Sequence, residues 1–118
     1  MRPKIVCLCG SSRFYDAWQQ ANYNLTMEGC IVLTIGFYPH AAKHNETVGC
    51  TAQQKIQLDV LHFRKIDLCD EVFVLNVGGY IGESTAREIE YAKSVGRSIT
   101  YLEKTKQTRV GFVTEELR

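Results

Sequence analysis

Lys4-Ile-Val-Cys-Leu-Cys-Gly-Ser-Ser-Arg13 is the stretch of sequence that decides the fold of this 118-residue chain. Residues 4–9 form a short, nearly continuous apolar run that ends at Gly10. Such a run is typical of a strand buried on both faces, as in parallel sheets. Parallel strands need long crossover connections, which are usually helices. We therefore predict an α/β fold in which residues 4–9 form the first strand.

The rest of the chain alternates helical and strand patterns, with no internal repeat, linker or low-complexity segment. We expect residues 1–118 to form one domain of Rossmann or flavodoxin type, with three layers and a mainly parallel sheet of four or five strands. Residues 37–50 are predicted to be a long loop, and residues 110–113 to add an edge strand or to contact a second subunit. The predicted elements are β1 (4–9), α1 (14–28), β2 (31–35), α2 (51–68), β3 (71–76), α3 (84–95) and β4 (97–102).

Helix α2 is expected to turn one apolar face toward the sheet. Ile56, Val60, Phe63 and Ile66 recur along it at the spacing of an amphipathic helix. His62 lies at the edge of this stripe, where a histidine packed at the edge of the surface is the simplest interpretation. A role for His62 in orienting a ligand is the alternative.

The composition excludes several classes of protein. Lys and Arg number 14 against 13 Asp and Glu, a net charge of +1, which excludes the basic surface that grips long nucleic acid. A small anionic ligand is still compatible with this charge. The apolar run Ile5–Cys9 is too short for the core of a signal peptide or for a membrane span. We expect a cytoplasmic protein with neither a nucleic-acid nor a membrane partner.

Five cysteines occur without a Cys-x-x-Cys pair, which argues against a disulfide framework and against a zinc ribbon. We expect reduced and mostly buried thiols. Cys7 and Cys9 alternate along β1 and share one face, which suits packing. A metal site formed with His40, His44 or His62 is the alternative, but we expect neither a metal nor another cofactor.

Gly10-Ser-Ser-Arg13 forms the first of two unusual bends, and we expect it at the carboxyl end of β1. Ligands of parallel sheets bind at this edge. The backbone N–H groups and the start of α1 favour an anion, and Ser11, Ser12 and Arg13 would complete a phosphate cradle. Alternatively, one serine merely caps α1 and Arg13 is solvated. The bend lacks the glycine and lysine spacing of nucleoside triphosphatases and of dinucleotide-binding folds.

The second bend follows β3 and contains Gly79, Gly82 and Ser84, which we take as candidate ligand-binding residues. Glycines allow the backbone to approach a ligand closely, and the start of α3 points to the same sheet edge. We expect the two bends to converge on one pocket. The aromatic residues Phe14, Tyr38 and Tyr80 are near these bends, where a flat base could stack, although most aromatic residues in a domain this small belong to the core.

Glu88 is the candidate catalytic residue of α3. Helical spacing places it on the side of Ala92, which faces protein, whereas Glu90 falls on the solvent side. The alternative is a capping box, in which Thr85 caps the helix and Glu88 bonds back to the Thr85 backbone N–H.

Three short motifs resemble the nucleoside 2-deoxyribosyltransferase family, and especially its branch of 2′-deoxynucleoside 5′-phosphate N-hydrolases. They are Val6-Cys-Leu-Cys-Gly-Ser-Ser-Arg13, Asp70-Glu-Val72 and Glu88-Ile-Glu-Tyr-Ala92. The resemblance runs from about residue 4 to residue 102. The chain differs from the family at His62, where the family usually has an aspartate, and at Gly82, where it has an aspartate or a serine.

The resemblance implies an enzyme in which Glu88 attacks C1′ of a sugar, expels the base and forms a glycosyl-enzyme that water or another base resolves. It also implies that Gly10, Ser11 and Arg13 hold a 5′-phosphate, that the substrate is a nucleoside or nucleoside monophosphate, and that the protein is a homodimer or a higher homo-oligomer. A non-catalytic nucleotide-binding or sensing domain of the same fold is the alternative function.

Overall fold

The structure is a computed structural model that describes residues 2–36 and 50–104. Tyr38, His40, His44 and residues 110–113 lie outside this part of the chain. The described elements are β1 (Ile5–Cys9), α1 (Tyr15–Met27), β2 (Ile31–Leu33), α2 (Ala52–Leu68), β3 (Glu71–Val74), a 3-10 turn (Val77–Gly79), α3 (Glu83–Ser94) and β4 (Ser98–Tyr101).

The described strands form one sheet of four parallel strands in the spatial order β2-β1-β3-β4. The predicted α/β class, with a parallel sheet and covering helices, is confirmed. Because β1 and β3 are the central strands, the bends that follow them lie side by side at the same edge of the sheet.

Helices cover both faces of the sheet, which gives the three predicted layers. Alternate residues of β1 face opposite sides, so that Val6 and Leu8 point to α1 while Cys7 and Cys9 point to α2 and α3. The shared face of the two cysteines is thus confirmed. All five cysteines are free thiols, and three of them are buried. The buried core residues are Val6, Leu8, Trp18, Ala21 and Leu75 on one face and Cys7, Cys9, Ile66, Cys69, Val72, Val74, Ile89 and Ala92 on the other.

The helix caps considered as alternatives at α1 and α3 do not form. Helix α1 has Phe14 at its N-cap and helix α3 has Gly82, and neither position makes a side-chain capping bond. Thr85 is buried inside α3 instead of preceding it, so Thr85 and Glu88 form no capping box. A capping box occurs at α2, where Thr51 and Gln54 bond to each other's backbone N–H groups at 3.0 and 2.9 Å.

The predicted apolar face of α2 is correct only in its second half. Ile66 is buried and Phe63 stacks on Tyr91 at 4.7 Å, but Ile56 and Val60 are 57% and 48% exposed. The first half of the helix turns polar side chains inward, because it borders a cavity at the sheet edge instead of the packed core.

Asp70 joins the two central strands at their amino ends, far along the sheet from the bends. Its carboxylate accepts a hydrogen bond from the backbone N–H of Ile5 at 2.8 Å and pairs with Arg2 at 2.8 Å. The Arg2 guanidinium and the Ile5 N–H hold the pKa of Asp70 below its ordinary value. The motif at residues 70–72 therefore has a structural role in this fold. None of the described helices combines the length and hydropathy needed to cross a membrane.

Candidate functional site

A cavity of about 300 Å³ opens at the carboxyl edge of the sheet. This volume is in the range of sites for small molecules. Residues 10–12 border it from the first bend, and Tyr80, residues 82–85 and Glu88 border it from the second bend and α3. Helix α2 supplies the facing wall, with Lys55, Leu58, Asp59, Leu61, His62 and Lys65.

The two bends meet at this cavity, as the sequence analysis expects. Three of the candidate residues do not line it: Arg13, Phe14 and Gly79. Tyr38 lies outside the described residues. The candidates that do line it are Gly10, Ser11, Ser12, His62, Tyr80, Gly82, Ser84 and Glu88.

The first bend is held in place by packing and by hydrogen bonds within the chain. A Cβ atom at Gly10 would lie 3.0 Å from Leu75 Cβ and 3.2 Å from the Leu75 carbonyl oxygen, so the residue must be small. The Ser11 carbonyl accepts bonds from the Phe14 backbone N–H at 3.1 Å and from the indole N–H of Trp18 at 3.0 Å. Because Trp18 is fully buried, it fixes the bend to the core.

Arg13 lies over the ring of Tyr80, with its guanidinium carbon 4.8 Å from the ring centre. Phe14 meets the same ring edge-on at 5.9 Å. Tyr80 in turn covers Gly82, where a Cβ atom would come within 3.1 Å of the tyrosine hydroxyl. These residues link the two bends, so that Tyr80 lines the cavity while Arg13 and Phe14 support it from outside. Gly79 belongs to the 3-10 turn that leads into Tyr80.

Glu88 points from α3 into the cavity and is half-buried. Burial raises the pKa of Glu88 above its ordinary value, and nearby Cys7 and Asp59 raise it further. His62 and a hydrogen bond with Cys9 act in the opposite direction. Glu90 is 76% exposed and pairs with Lys93 at 3.6 Å, so the predicted contrast between the two glutamates is confirmed.

His62 is buried, with 4% of its surface exposed, and is not the surface-edge residue that the sequence suggested. Its Nε2 lies 3.0 Å from the carbonyl oxygen of Leu8. Since a carbonyl oxygen only accepts, Nε2 carries a hydrogen and donates it. The pairing of β1 with β2 ends at Cys7, so the Leu8 carbonyl lies beyond the last pair of the two strands. His62 supplies the hydrogen-bond donor to this carbonyl.

Both β1 thiols approach the same ring nitrogen of His62. Cys7 Sγ is 3.6 Å and Cys9 Sγ is 3.5 Å from Nε2. Hydrogen bonding from Cys9 lowers the pKa of Cys7 to about 6 against the effect of burial, whereas the pKa of Cys9 is raised well above its ordinary value. Burial lowers the pKa of His62, but its interactions with Cys7 outweigh burial and the net direction is upward.

Sequence reasoning missed the charged residues that α2 contributes to the cavity. Lys55 pairs with Asp59 at 2.8 Å and reaches the Ser84 hydroxyl at 3.5 Å. Lys65 donates to the Thr34 carbonyl at 2.6 Å, just beyond the end of β2. A signal was present, because Lys55, Asp59 and His62 follow one another at helical spacing and form a second, polar stripe.

Comparison with known proteins adds no family to these observations. Neither a scan against protein-family models nor a search of curated proteins found a match for this chain. The function is therefore inferred from the fold and from the residues that line the cavity.

Proposed function

We propose that this chain is a nucleoside 2-deoxyribosyltransferase-like enzyme that binds a nucleoside or nucleoside monophosphate and breaks its N-glycosidic bond with Glu88 as the nucleophile. The observation that carries the proposal is that Glu88 and the bend at residues 10–12 border one cavity. The volume of this cavity, about 300 Å³, is in the range of sites for small molecules, which supports a ligand that contacts both the bend and the carboxylate.

The phosphate end of the ligand is assigned to residues 10–12. Backbone N–H groups before a helix favour an anion, and the serine hydroxyls add donors. Lys55 and Lys65 bring positive charge to the same cavity. Arg13 lies against Tyr80 at the rim, from which its guanidinium would reach a bound phosphate only by leaving the ring.

The sugar and base are assigned to the opposite side, between Tyr80 and Glu88. In the proposed reaction a Glu88 carboxylate oxygen forms a bond to C1′ as the bond from C1′ to the base nitrogen breaks, and the electron pair leaves with the base. The departing base takes up a proton, for which Asp59 and His62 of α2 are the nearby titratable groups. Water or a second base then releases the sugar from Glu88.

The partial burial of Glu88 supports this role. A carboxylate that is withdrawn from water is a better nucleophile than a solvated one, provided that it is ionised at the working pH. His62 and Cys9 favour the ionised form, which opposes the effect of burial.

The test combines binding and product release. The protein is incubated, in the presence of a chelator, with a panel of nucleosides and 5′-monophosphates of ribose and deoxyribose, with and without an acceptor base. Binding is measured by calorimetry and free base by chromatography. We expect release of base by the wild type and none by Glu88→Ala. Binding without release by the wild type would contradict the enzyme and support the non-catalytic nucleotide-binding alternative.

A further inference from the structure

Cys7, Cys9 and His62 form a buried cluster of metal-ligating side chains, of which His62 lines the cavity. Their ligand atoms all lie within 4.8 Å of one another, which no other group of three such residues achieves in the described part of the chain. Two of them come from β1 and one from α2, so the fold and not the sequence spacing brings them together.

The distances match those between the ligands of a tetrahedral zinc ion. With Zn–S of about 2.3 Å and Zn–N of about 2.0–2.1 Å, neighbouring sulfur and nitrogen ligands are about 3.5 Å apart. The two sulfur-to-nitrogen distances to His62 Nε2 are 3.5 and 3.6 Å. The two sulfur atoms lie within 4.8 Å of each other, so that a movement of about 1 Å at most would bring them to the edge length of a tetrahedral site.

Glu88 is the candidate for a fourth ligand, on the cavity side. It is not among the three residues whose ligand atoms lie within 4.8 Å of one another, but it lines the cavity together with His62, and hydrogen bonding with Cys9 lowers its pKa. A cation entering from the cavity would therefore meet a carboxylate, an imidazole and two sulfurs in succession. Thiolate and imidazole ligands together select zinc and similar borderline or soft cations over magnesium and calcium.

We propose that Cys7, Cys9 and His62 bind a thiophilic divalent cation of the zinc class, with the carboxylate of Glu88 as the fourth ligand. When the cation binds, the two thiol protons pass to solvent, and the Nε2 hydrogen that now bonds to the Leu8 carbonyl moves to Nδ1, so that a neutral imidazole binds the cation through Nε2. Insofar as the proposed function holds, the cation and a reacting sugar compete for Glu88, and the reaction belongs to the metal-free protein.

The test is a titration of the reduced, metal-free full chain with Co²⁺, a coloured probe for zinc sites, followed by displacement with Zn²⁺. We expect one Co²⁺ per chain, with absorption bands of thiolate-to-cobalt charge transfer and of tetrahedral cobalt. Cys7→Ser, Cys9→Ser and His62→Ala should each weaken binding more than about 10-fold. Cys50→Ser, which removes an exposed thiol, is the matched control and should bind as the wild type does.

The wild-type titration decides the proposal even where a variant of a buried cysteine fails to fold. Absence of the charge-transfer band from the folded wild type overturns it, and so does loss of the band in Cys50→Ser, because the exposed thiol would then be the ligand. Glu88→Gln should keep the thiolate-to-cobalt band with weaker binding. The Co²⁺ titration needs no substrate, so its result is independent of the base-release assay. A failed titration does not contradict the proposed reaction, and absence of base release does not contradict the metal site.

Discussion

Substituting Gly10 by alanine should destabilise the fold, although the backbone conformation at this position accepts an alanine. The added Cβ atom would lie 3.0 Å from Leu75 Cβ and 3.2 Å from the Leu75 carbonyl oxygen. Leu75 is fully buried, and its backbone N–H bonds to the Cys9 carbonyl at 2.8 Å, so it has no open space to move into. The ends of β1 and β3 must separate to accept the new methyl group.

The size of the effect follows from two opposing contributions. Overpacking a close contact costs about 1–3 kcal/mol. Alanine also lowers the conformational entropy of the unfolded chain, which stabilises the folded state by about 0.4–1 kcal/mol. The midpoints of these ranges give a net loss of about 1.3 kcal/mol in the free energy of unfolding, and the upper limit is about 2.6 kcal/mol.

Urea denaturation with a common m-value measures this loss, and Gly82→Ala is the matched control. At Gly82 the added Cβ atom meets the outer part of the Tyr80 side chain, which is 43% exposed and can turn away. Its free energy of unfolding should change by no more than about 0.5 kcal/mol. A Gly10→Ala protein as stable as the wild type, or less affected than Gly82→Ala, would refute the close approach of the two strand ends.

Three further predictions concern the cavity. Because Arg13 supports Tyr80 from outside the cavity, Arg13→Ala should weaken binding of a nucleoside monophosphate and of the bare nucleoside by similar amounts, measured by calorimetry; a loss of about 1.5–3 kcal/mol for the monophosphate alone would show instead that the guanidinium leaves the ring to contact the phosphate. Because burial raises the pKa of Glu88 and the nucleophile must be ionised, kcat/KM in the presence of a chelator should fall as pH drops through a value above the ordinary 4.5. An acid limb at or below 4.5 would contradict the burial of Glu88. His62→Ala should lower the free energy of unfolding by about 1–3 kcal/mol, since it leaves the Leu8 carbonyl without its donor; an unchanged urea midpoint would show that the bond contributes nothing.

Much of the architecture could be predicted because it depends on local patterns. The apolar run at residues 4–9 belongs to a strand covered on both faces, and residues 6–9 of this strand are buried. Parallel topology then brings the ends of β1 and β3 to one edge, which is why two bends distant in sequence share a cavity. Helical spacing also separated the inward Glu88 from the exposed Glu90.

The orientation of α2 could not be predicted, because the helix carries an apolar and a polar stripe and the sequence does not say which one faces inward. The apolar preference is correct over the core, at Ile66, but fails over the cavity, where Lys55 and Asp59 face inward and Ile56 is exposed. The rule that the apolar stripe of an amphipathic helix faces inward assumes that the inward side packs against the core. It does not apply to a helix whose first half borders an open cavity.

The contacts of His62 were also beyond the reach of sequence reasoning. They depend first on the end of β2 at Leu33: the last residue pair between β1 and β2 is Cys7 with Leu33, so the Leu8 carbonyl lies beyond it. They depend also on the distance of α2 from the sheet, which brings His62 to that carbonyl. The meeting of Cys7, Cys9 and His62 likewise depends on tertiary structure, since no short motif spans residues 7–62.

The rate of base release by Glu88→Gln, compared with Glu90→Gln from the same helix, tests the central claim most directly. Both substitutions remove one charge and keep the shape of the side chain, but only Glu88 lines the cavity. With a nucleoside monophosphate that the wild type cleaves, Glu88→Gln should be slower by about 10³-fold or more, and Glu90→Gln should match the wild type. Release of base by a folded Glu88→Gln protein at the wild-type rate would contradict the assignment of Glu88 as the nucleophile.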